Sequence, residues 1–199
     1  TLTITAGSPS AINYGGTTPA NSFSSTGKAA NDVISGVTYT YSGTSGTSYG
    51  PSTTAPVLPG DYLITPSAAT FSTGSTSNYT TINYVAGTWK INAATLVITA
   101  ASPSTISYGG TKAADTFTVT GLNAADSISG LTYTYTGSGA TIYGPTTTAP
   151  TAAGTYSITP SAATFVDAGS AAKYSTITYT PGLFTINKKA LTVTPTNQD

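Results

Sequence analysis

The chain has 199 residues, and about a third of them are Thr or Ser, accompanied by 21 Gly, 14 Tyr and 12 Pro. Only 6% of the residues are charged, the Lys and Asp charges cancel, and His, Cys, Met, Arg and Glu do not occur. This composition lacks the usual general bases, thiol nucleophiles and paired carboxylates of enzymes, and the basic stripe of a nucleic-acid-binding protein. We therefore expect a protein that is not an enzyme, uses no cofactor or metal, and binds no nucleic acid.

The start of the chain predicts short strands separated by turns. Residues 2–6 alternate apolar side chains with Thr, which is the period of a half-buried strand. Gly15 and Gly16 follow an aromatic residue, and this pairing predicts a tight turn with positive φ. A weaker strand is predicted around Phe23.

Residues 29–36 are the best helix candidate in this part of the chain. They end at a Gly, where a left-handed helix cap costs little, although one or two turns are too short to be stable alone. Asp32 lies in this segment, and we expect it to cap the helix or close a turn rather than take part in catalysis or bind a metal. Residues 37–41 then alternate strictly with Thr and predict a strand.

The next part of the chain contains a proline-rich loop and three further strands. The loop, residues 49–56, is interpreted as an extended edge segment, because proline disfavours a central strand. A strand is predicted at residues 62–65 and is expected to stop at the proline that follows; the residues after it fit either a helical turn or a continued edge strand. Residues 82–85 and 89–91, separated by a glycine turn, are expected to form a closing hairpin.

The whole pattern occurs twice. Residues 2–71 align on residues 96–165 without a gap, at a constant offset of 94, and about three in five positions are identical. A repeat of this length suits a small self-sufficient domain. We therefore predict one domain at residues 1–92, a second at residues 93–187, and a tail at residues 188–199 that is the first strand of a truncated third copy.

The residues singled out in the first copy recur in the second. The predicted turn and cap residues are Gly15, Gly16 and Asp32 and, in the second copy, Gly109, Gly110 and Asp126. Tyr49 and Tyr143 occupy a Gly-Pro loop in each copy. We expect them to be the most exposed tyrosines and the candidates for ligand contact, while most other tyrosines fill the core. In the tail, Leu191 and Val193 are candidates for strand exchange with another molecule.

A covalent cross-link between side chains is a separate question. An isopeptide bond needs a Lys, a carboxyl or amide partner and a nearby acid, all buried together. No Lys occupies the same position in both copies; Lys90 aligns with Thr185, for example, and Lys173 with Asn78. The sequence therefore does not predict a cross-link as a shared feature of the two copies.

The order of these motifs resembles that of the mostly-β-grasp (MBG) repeats of large bacterial surface and secreted adhesins. The residues that carry the resemblance are 2–5, 14–16, Gly27, Asp32, 60–65, 78–84, Gly87 and Ile91, with their partners in the second copy. The resemblance covers nearly the whole chain, but the loop at residues 49–56 lies outside the family pattern. It implies a mostly β fold of two tandem, small β-grasp-like domains, each with at most one short helix, and an extracellular location, either secreted or at the bacterial cell surface.

The function that the resemblance implies is a non-catalytic stalk or spacer of an adhesin, whose partners are neighbouring repeats of the same chain. In a β-grasp domain the first and last strands pair in parallel, and the short connection at residues 93–94 would then arrange the domains end to end as a rod. Two alternatives stay open. One is a self-assembling subunit of an extracellular filament or sheath, and the other is an adhesive module whose loop tyrosines bind glycans or proteins.

The ends of the chain and its apolar runs carry two further expectations. No apolar run approaches the length of a membrane span, which is about 20 residues, so no span is predicted. The chain has no initiator Met and no signal peptide, and we expect it to be a mature or internal piece of a longer protein.

Overall fold

The computed structural model describes residues 1–194, and strands dominate it, as the composition predicts. Contacts divide the chain into two compact units, Thr1–Ala94 and the part from Thr95 onward. The first unit contains β1 (Leu2–Ala6), β2 (Ile12–Asn13), β3 (Phe23–Thr26), β4 (Val33–Thr44), β5 (Gly60–Thr73), a 3₁₀ helix (Thr76–Asn78), β6 (Ile82–Val85) and β7 (Gly87–Asn92). The second contains β8 (Ala94–Ala100), β9 (Ile106–Ser107), β10 (Phe117–Thr120), β11 (Ile128–Gly137), β12 (Gly154–Phe165), a 3₁₀ helix (Ser170–Lys173), β13 (Tyr174–Thr180) and β14 (Gly182–Asn187).

Each unit is built from two sheets with the same strand order. In the first unit the sheets are β3-β1-β6 and β2-β7-β5-β4, and in the second they are β10-β8-β13 and β9-β14-β12-β11. Most neighbours are antiparallel, but β1 is parallel to β6, and β2 is parallel to β7. The same parallel pairing joins β9 to β14 in the second unit. The repeat seen in the sequence is therefore a repeat of topology.

The opening strand links the two parts of the core. Leu2 and Ile4 of β1 pack in one apolar cluster with Ala69, whereas Ala6 of the same strand joins a second cluster that contains Tyr62 and Trp89. The alternation of Leu, Ile and Ala with Thr predicts this buried face correctly. Each fully buried Leu or Ile contributes about 1.5–3 kcal/mol, so β1 stabilises both sheets.

The predicted helix at residues 29–36 is wrong. The segment makes only a turn, in which the Asp32 N–H donates to Ala29 O at 3.1 Å, and the chain then enters β4 at Val33. The corresponding segment in the second unit also forms a turn and then β11. The Val-Ile pair at the start of β4 is better accommodated on a pleated surface, where β5 is available as a partner. Tertiary pairing has overridden a weak local helix preference.

The predicted strand at residues 62–65 does not stop at Pro66. It continues as β5, because the ladder with β7 ends at Ile64 and, among the described residues, only β4 forms a ladder with the strand beyond that point. The missing proline N–H therefore falls where no second ladder has to be satisfied. Ala68 then adopts a positive φ of 46°, and the Ala69 N–H donates to Tyr84 Oη at 2.9 Å. The second unit repeats this arrangement, with a φ of 51° at Ala162 and a hydrogen bond of 2.9 Å from the Ala163 N–H to Tyr179 Oη. Of the two alternatives for this segment, the continued edge strand is the one observed.

The two strands of the predicted closing hairpin exist, but the hairpin does not. β6 pairs with β1 in one sheet, and β7 pairs with β5 and β2 in the other. It follows that the first strand of the unit pairs in parallel with the penultimate strand, and the expectation that it pairs with the last strand is wrong. The predicted tail strand is not formed by Lys188 to Thr194, and the remainder of that tail lies outside the described residues. None of the helices within residues 1–194 is long and apolar enough to cross a membrane.

Candidate functional site

The loop tyrosines proposed for ligand contact are only partly exposed. Tyr49 packs against the core, with its ring edge-on to Tyr62 at a centroid distance of 5.8 Å, and its hydroxyl donates to Thr54 O at 2.8 Å. Tyr143 repeats this arrangement against Tyr156 at 5.4 Å. The expectation that these are the most exposed tyrosines is therefore wrong, and Tyr108, at 55% exposure, is more open. Ligand contact by Tyr49 or Tyr143 stays a prediction.

The paired glycines form the predicted turns. Gly15 and Gly109 have φ values of 83° and 82°, a conformation that disfavours any residue with a Cβ. Gly16 and Gly110 have no positive φ, but each donates its N–H to the carbonyl three residues earlier at 2.8 Å. A Cβ on either would lie 2.9 Å from that same carbonyl oxygen. The first glycine is thus required by its backbone conformation, and the second by a close approach.

The aspartate shared by the two repeats is buried, and it does not cap a helix. Asp32 is 6% exposed and lies in the turn that leads into β4. Its Oδ2 accepts from Tyr79 Oη at 2.8 Å and from Asn78 Nδ2 at 3.3 Å. The Tyr79 hydroxyl in turn accepts from the Ala29 N–H at 3.0 Å, which ties the carboxylate to the turn around it. Of the two expected roles, the helix cap is absent and the turn is present, closed by the Asp32 N–H to Ala29 O; the absence of a catalytic role stays a prediction.

Asp126 in the second repeat has a stronger set of partners. Its side chain is fully buried, and its Oδ2 accepts from Tyr174 Oη at 2.7 Å. Its Oδ1 lies 2.6 Å from Ser170 Oγ and 2.8 Å from Lys173 Nζ, so the carboxylate is paired with an ammonium group as well as with two hydroxyls. A second carboxylate, Asp167 Oδ2, lies 3.6 Å from the same Nζ. An unpaired charge at this depth would be costly, and these contacts compensate it.

The fold brings these groups together from two separate segments. Asp126 precedes β11, whereas Ser170, Lys173 and Tyr174 belong to the 3₁₀ helix and the first position of β13. The second copy has one extra residue in the loop before this helix, and Lys173 stands where the first copy has Asn78. The recurrence of Asp and Tyr in both copies is visible in the sequence, but their contact depends on the fold, and no motif indicates that Ser170 or Lys173 joins them.

A second polar cluster distinguishes the repeats. Lys112 and Asp115 form an ion pair with both side chains mostly buried, and Asp115 also accepts from the Tyr135 hydroxyl. Burial, followed by this hydrogen bond and the charge of Asp115, raises the pKa of Tyr135 well above its ordinary value. In the first repeat the matching tyrosine, Tyr41, donates to the neutral Asn21 Oδ1 at 2.9 Å. No recurring motif indicates this cluster, because Lys112 and Asp115 align with the uncharged Thr18 and Asn21 of the first repeat.

Together these sites have the character of structural polar networks. Within residues 1–194 there is no group of three or more His, Cys, Asp or Glu that could hold a metal ion. The fold and the sites define a mostly β protein of two homologous repeats, each of which anchors a loop to a buried aspartate. In comparisons with known proteins, no family model matches the chain, and no curated protein or solved structure is significantly similar to it.

Proposed function

We propose that the two repeats are spacer modules of a stalk in a bacterial cell-surface or secreted adhesin, with the β-grasp-like character of MBG repeats. The observation that carries this proposal is the parallel pairing of strands that lie near opposite ends of each unit. In the first unit β1 is parallel to β6, and β2 is parallel to β7. A stalk transmits tension from one end of each module to the other. Its mechanical resistance therefore depends on the direction in which tension acts on the hydrogen-bond ladders of these parallel pairs.

Tension on the first unit would load both parallel ladders in shear. It enters β1 at Leu2 and reaches β6 at Val85, and in a parallel pair those residues lie at opposite ends of the ladder. All hydrogen bonds of the pair are then strained together, whereas a pair pulled from one end opens bond by bond. The same reasoning applies to β2 and β7, which receive force at Ile12 and Asn92. Such a topology suits a module that has to bear load.

The connection between the units supports the same function. β7 ends at Asn92 and β8 begins at Ala94, so a single residue, Ala93, separates two strands. A connection of one residue has only two backbone torsions that can vary freely, and we infer that it restricts bending between the units. A rod-like arrangement of successive repeats is part of the proposal on this ground.

Small-angle X-ray scattering tests the spacer function. The native chain is expected to give an elongated, monomeric particle whose maximum dimension does not change with concentration. The matched control carries a flexible Gly-Ser insertion between Asn92 and Ala93, which leaves both units intact and is expected to broaden the distribution of dimensions. If the native chain and the insertion variant gave the same distribution, a stiff connection would be ruled out.

The same preparation separates the two alternatives. Fibres that grow with concentration would contradict the spacer function and support a filament subunit that pairs through its strand edges. Saturable binding to an immobilised glycan, lost in Tyr49→Ala and Tyr143→Ala, would contradict the spacer function and support an adhesive module.

Force spectroscopy on a chain tethered at its two ends gives a third measurement. A spacer whose ladders are loaded in shear is expected to unfold in two high-force steps, one for each unit.

A further inference from the structure

The structure holds an amine and a carboxyl group in contact inside the second repeat. Lys173 Nζ lies 2.8 Å from Asp126 Oδ1, and the Asp126 side chain is fully buried while that of Lys173 is 17% exposed. We propose that these side chains condense to an intramolecular isopeptide bond between Lys173 Nζ and Asp126 Cγ. The proposal does not depend on the spacer function.

Burial favours the protonation states that the reaction needs. Separated charges are penalised in a poorly solvated site, so an ammonium–carboxylate pair lies closer in free energy to an amine and a carboxylic acid than it does in water. One proton transfer along the 2.8 Å contact converts the first pair into the second. The neutral amine that results is a nucleophile already positioned beside the carboxyl carbon that it attacks.

Three neighbouring groups can move protons or stabilise charge during the condensation. Ser170 Oγ lies 2.6 Å from Asp126 Oδ1, 3.2 Å from Lys173 Nζ and 3.4 Å from Asp167 Oδ2, so it contacts every group that gains or loses a proton. The Asp167 side chain is 68% exposed and connects this network to solvent. On the other side, Tyr174 Oη donates to Asp126 Oδ2 at 2.7 Å, where negative charge develops on the tetrahedral intermediate.

The reaction balances without an added reagent. The ammonium of Lys173 first gives one proton to Asp126, and the amine then attacks Cγ to form the C–N bond. The nitrogen loses its second proton, through Ser170 or Asp167, to the departing oxygen of Asp126. The C–O bond breaks, and that oxygen leaves as water, so ammonium and carboxylate become amide and water.

The bond would exist only in the second repeat. The first repeat has Asn78 in place of Lys173, and its Nδ2 lies 3.3 Å from Asp32 Oδ2, a contact that offers no nucleophilic amine. The cross-link would join the start of β11 to the start of β13 and enclose β11 and β12. Tension could then not extend the enclosed segment, because the chain around it would be covalently bridged.

Intact-mass spectrometry of the full chain under denaturing conditions tests the proposal. The expected mass is lower than the sequence mass by one water, and proteolysis is expected to yield a branched peptide that joins Asp126 to Lys173. Lys173→Arg keeps the ion pair but is expected to restore the full mass, as are Lys173→Asn, which copies the first repeat, and Asp126→Ala. A full mass in the native chain after prolonged incubation would overturn the proposal, as would a water loss that maps elsewhere.

A second measurement separates a proton-transfer role of the neighbours from a merely structural one. Ser170→Ala and Asp167→Asn are expected to fold and to accumulate uncondensed chain that loses water more slowly than the native protein. The conservative variant Ser170→Thr retains the hydroxyl and is expected to recover the rate. If Ser170→Ala and Asp167→Asn condensed as fast as the native chain, Ser170 and Asp167 would not take part, and a water loss that persisted in Lys173→Arg would eliminate the bond itself.

Discussion

Tyr174 Oη donates to Asp126 Oδ2 at 2.7 Å across 48 residues of sequence, and Tyr79 gives the same contact to Asp32 at 2.8 Å. Each tyrosine hydroxyl also accepts a backbone N–H from the turn that carries the aspartate. One phenol therefore joins a buried carboxylate to its own turn in both repeats. The remaining partners of the carboxylate differ, so this contact is the part of the site that the two units share.

Replacing this phenol tests its contribution to stability. Tyr174→Phe removes a donor from a buried carboxylate and an acceptor from the Asn123 N–H, and the loss is expected to cost about 1–3 kcal/mol. Tyr79→Phe should cost a similar amount in the first unit. Urea unfolding of the full chain measures both effects. The control is Tyr108→Phe, whose exposed ring should change stability by less than about 0.5 kcal/mol; equal effects for Tyr108 and Tyr174 would contradict the prediction.

The turn glycines allow two kinds of cost to be compared. Gly109→Ala meets no atom within 4 Å, so its cost is that of a positive φ alone, about 1–2 kcal/mol. Gly110→Ala has no positive φ, but its Cβ would lie 2.9 Å from Ser107 O, and the turn has to open. We expect both variants to lower the melting temperature of the second unit, measured by calorimetry. A neutral Gly109→Ala would show that the turn relaxes to another conformation.

The raised pKa values of the buried tyrosines predict that the protein loses stability at high pH. Burial raises the pKa of Tyr62, with smaller contributions from Tyr49 and Asp61, and burial likewise raises the pKa of Tyr156. Because these folded-state pKa values lie above the ordinary tyrosine value of 10.0, their contribution to stability is complete below pH 10 and is lost as the pH rises through the folded pKa.

Chemical denaturation at a series of alkaline pH values checks this linkage. The free energy of unfolding should be insensitive to tyrosine ionisation below pH 10 and should fall above it, because the unfolded chain then binds fewer protons. Tyr135→Phe should reduce the slope, since Tyr135 also has a raised pKa. Tyrosinate absorbance that rose around pH 10 without any loss of stability would contradict the prediction.

The indole of Trp89 gives a prediction for the core. Trp89 is 3% exposed, and its Nε1 is a buried side-chain atom with no hydrogen-bond partner among the residues that the structure describes. Phe184 occupies the equivalent position in the second repeat, where it is 1% exposed. Trp89→Phe removes an unsatisfied donor while it loses some apolar contact, and the two effects should offset to within about 1 kcal/mol. Phe184→Ala should cost about 3–5 kcal/mol in the same unfolding assay.

The elements that depend on short stretches of chain could be predicted from the sequence. The alternation of residues 2–6 correctly gave a strand and its buried face, because side chains point to opposite faces at successive positions. The glycine pairs gave the turns, since the φ of Gly15 and Gly109 is a property of a single residue. Alignment of the chain on itself gave two copies, and the copies share one topology.

Sheet partners could not be predicted in the same way. β6 and β7 are separated by one residue and fit a hairpin locally, yet each pairs with residues more than 20 positions away along the chain. The helix expected at residues 29–36 failed for a related reason, because the partner that makes β4 a strand is supplied by β5. Local propensity is worth a few tenths of a kcal/mol per residue, and burial of apolar faces against distant strands outweighs it.

The composition class, most strands and the turns can be predicted from the sequence because each follows from the chemistry of neighbouring residues, and the two copies follow from aligning the chain on itself. Tertiary structure alone decided that Asp126 meets Lys173 and Tyr174, and that Tyr49 packs against Tyr62. Asp126 is 47 residues from Lys173 and 48 from Tyr174, and these contacts depend on how distant strands are brought together. A recurring Asp and a recurring Tyr could be read in the sequence, but their contact is a product of the fold.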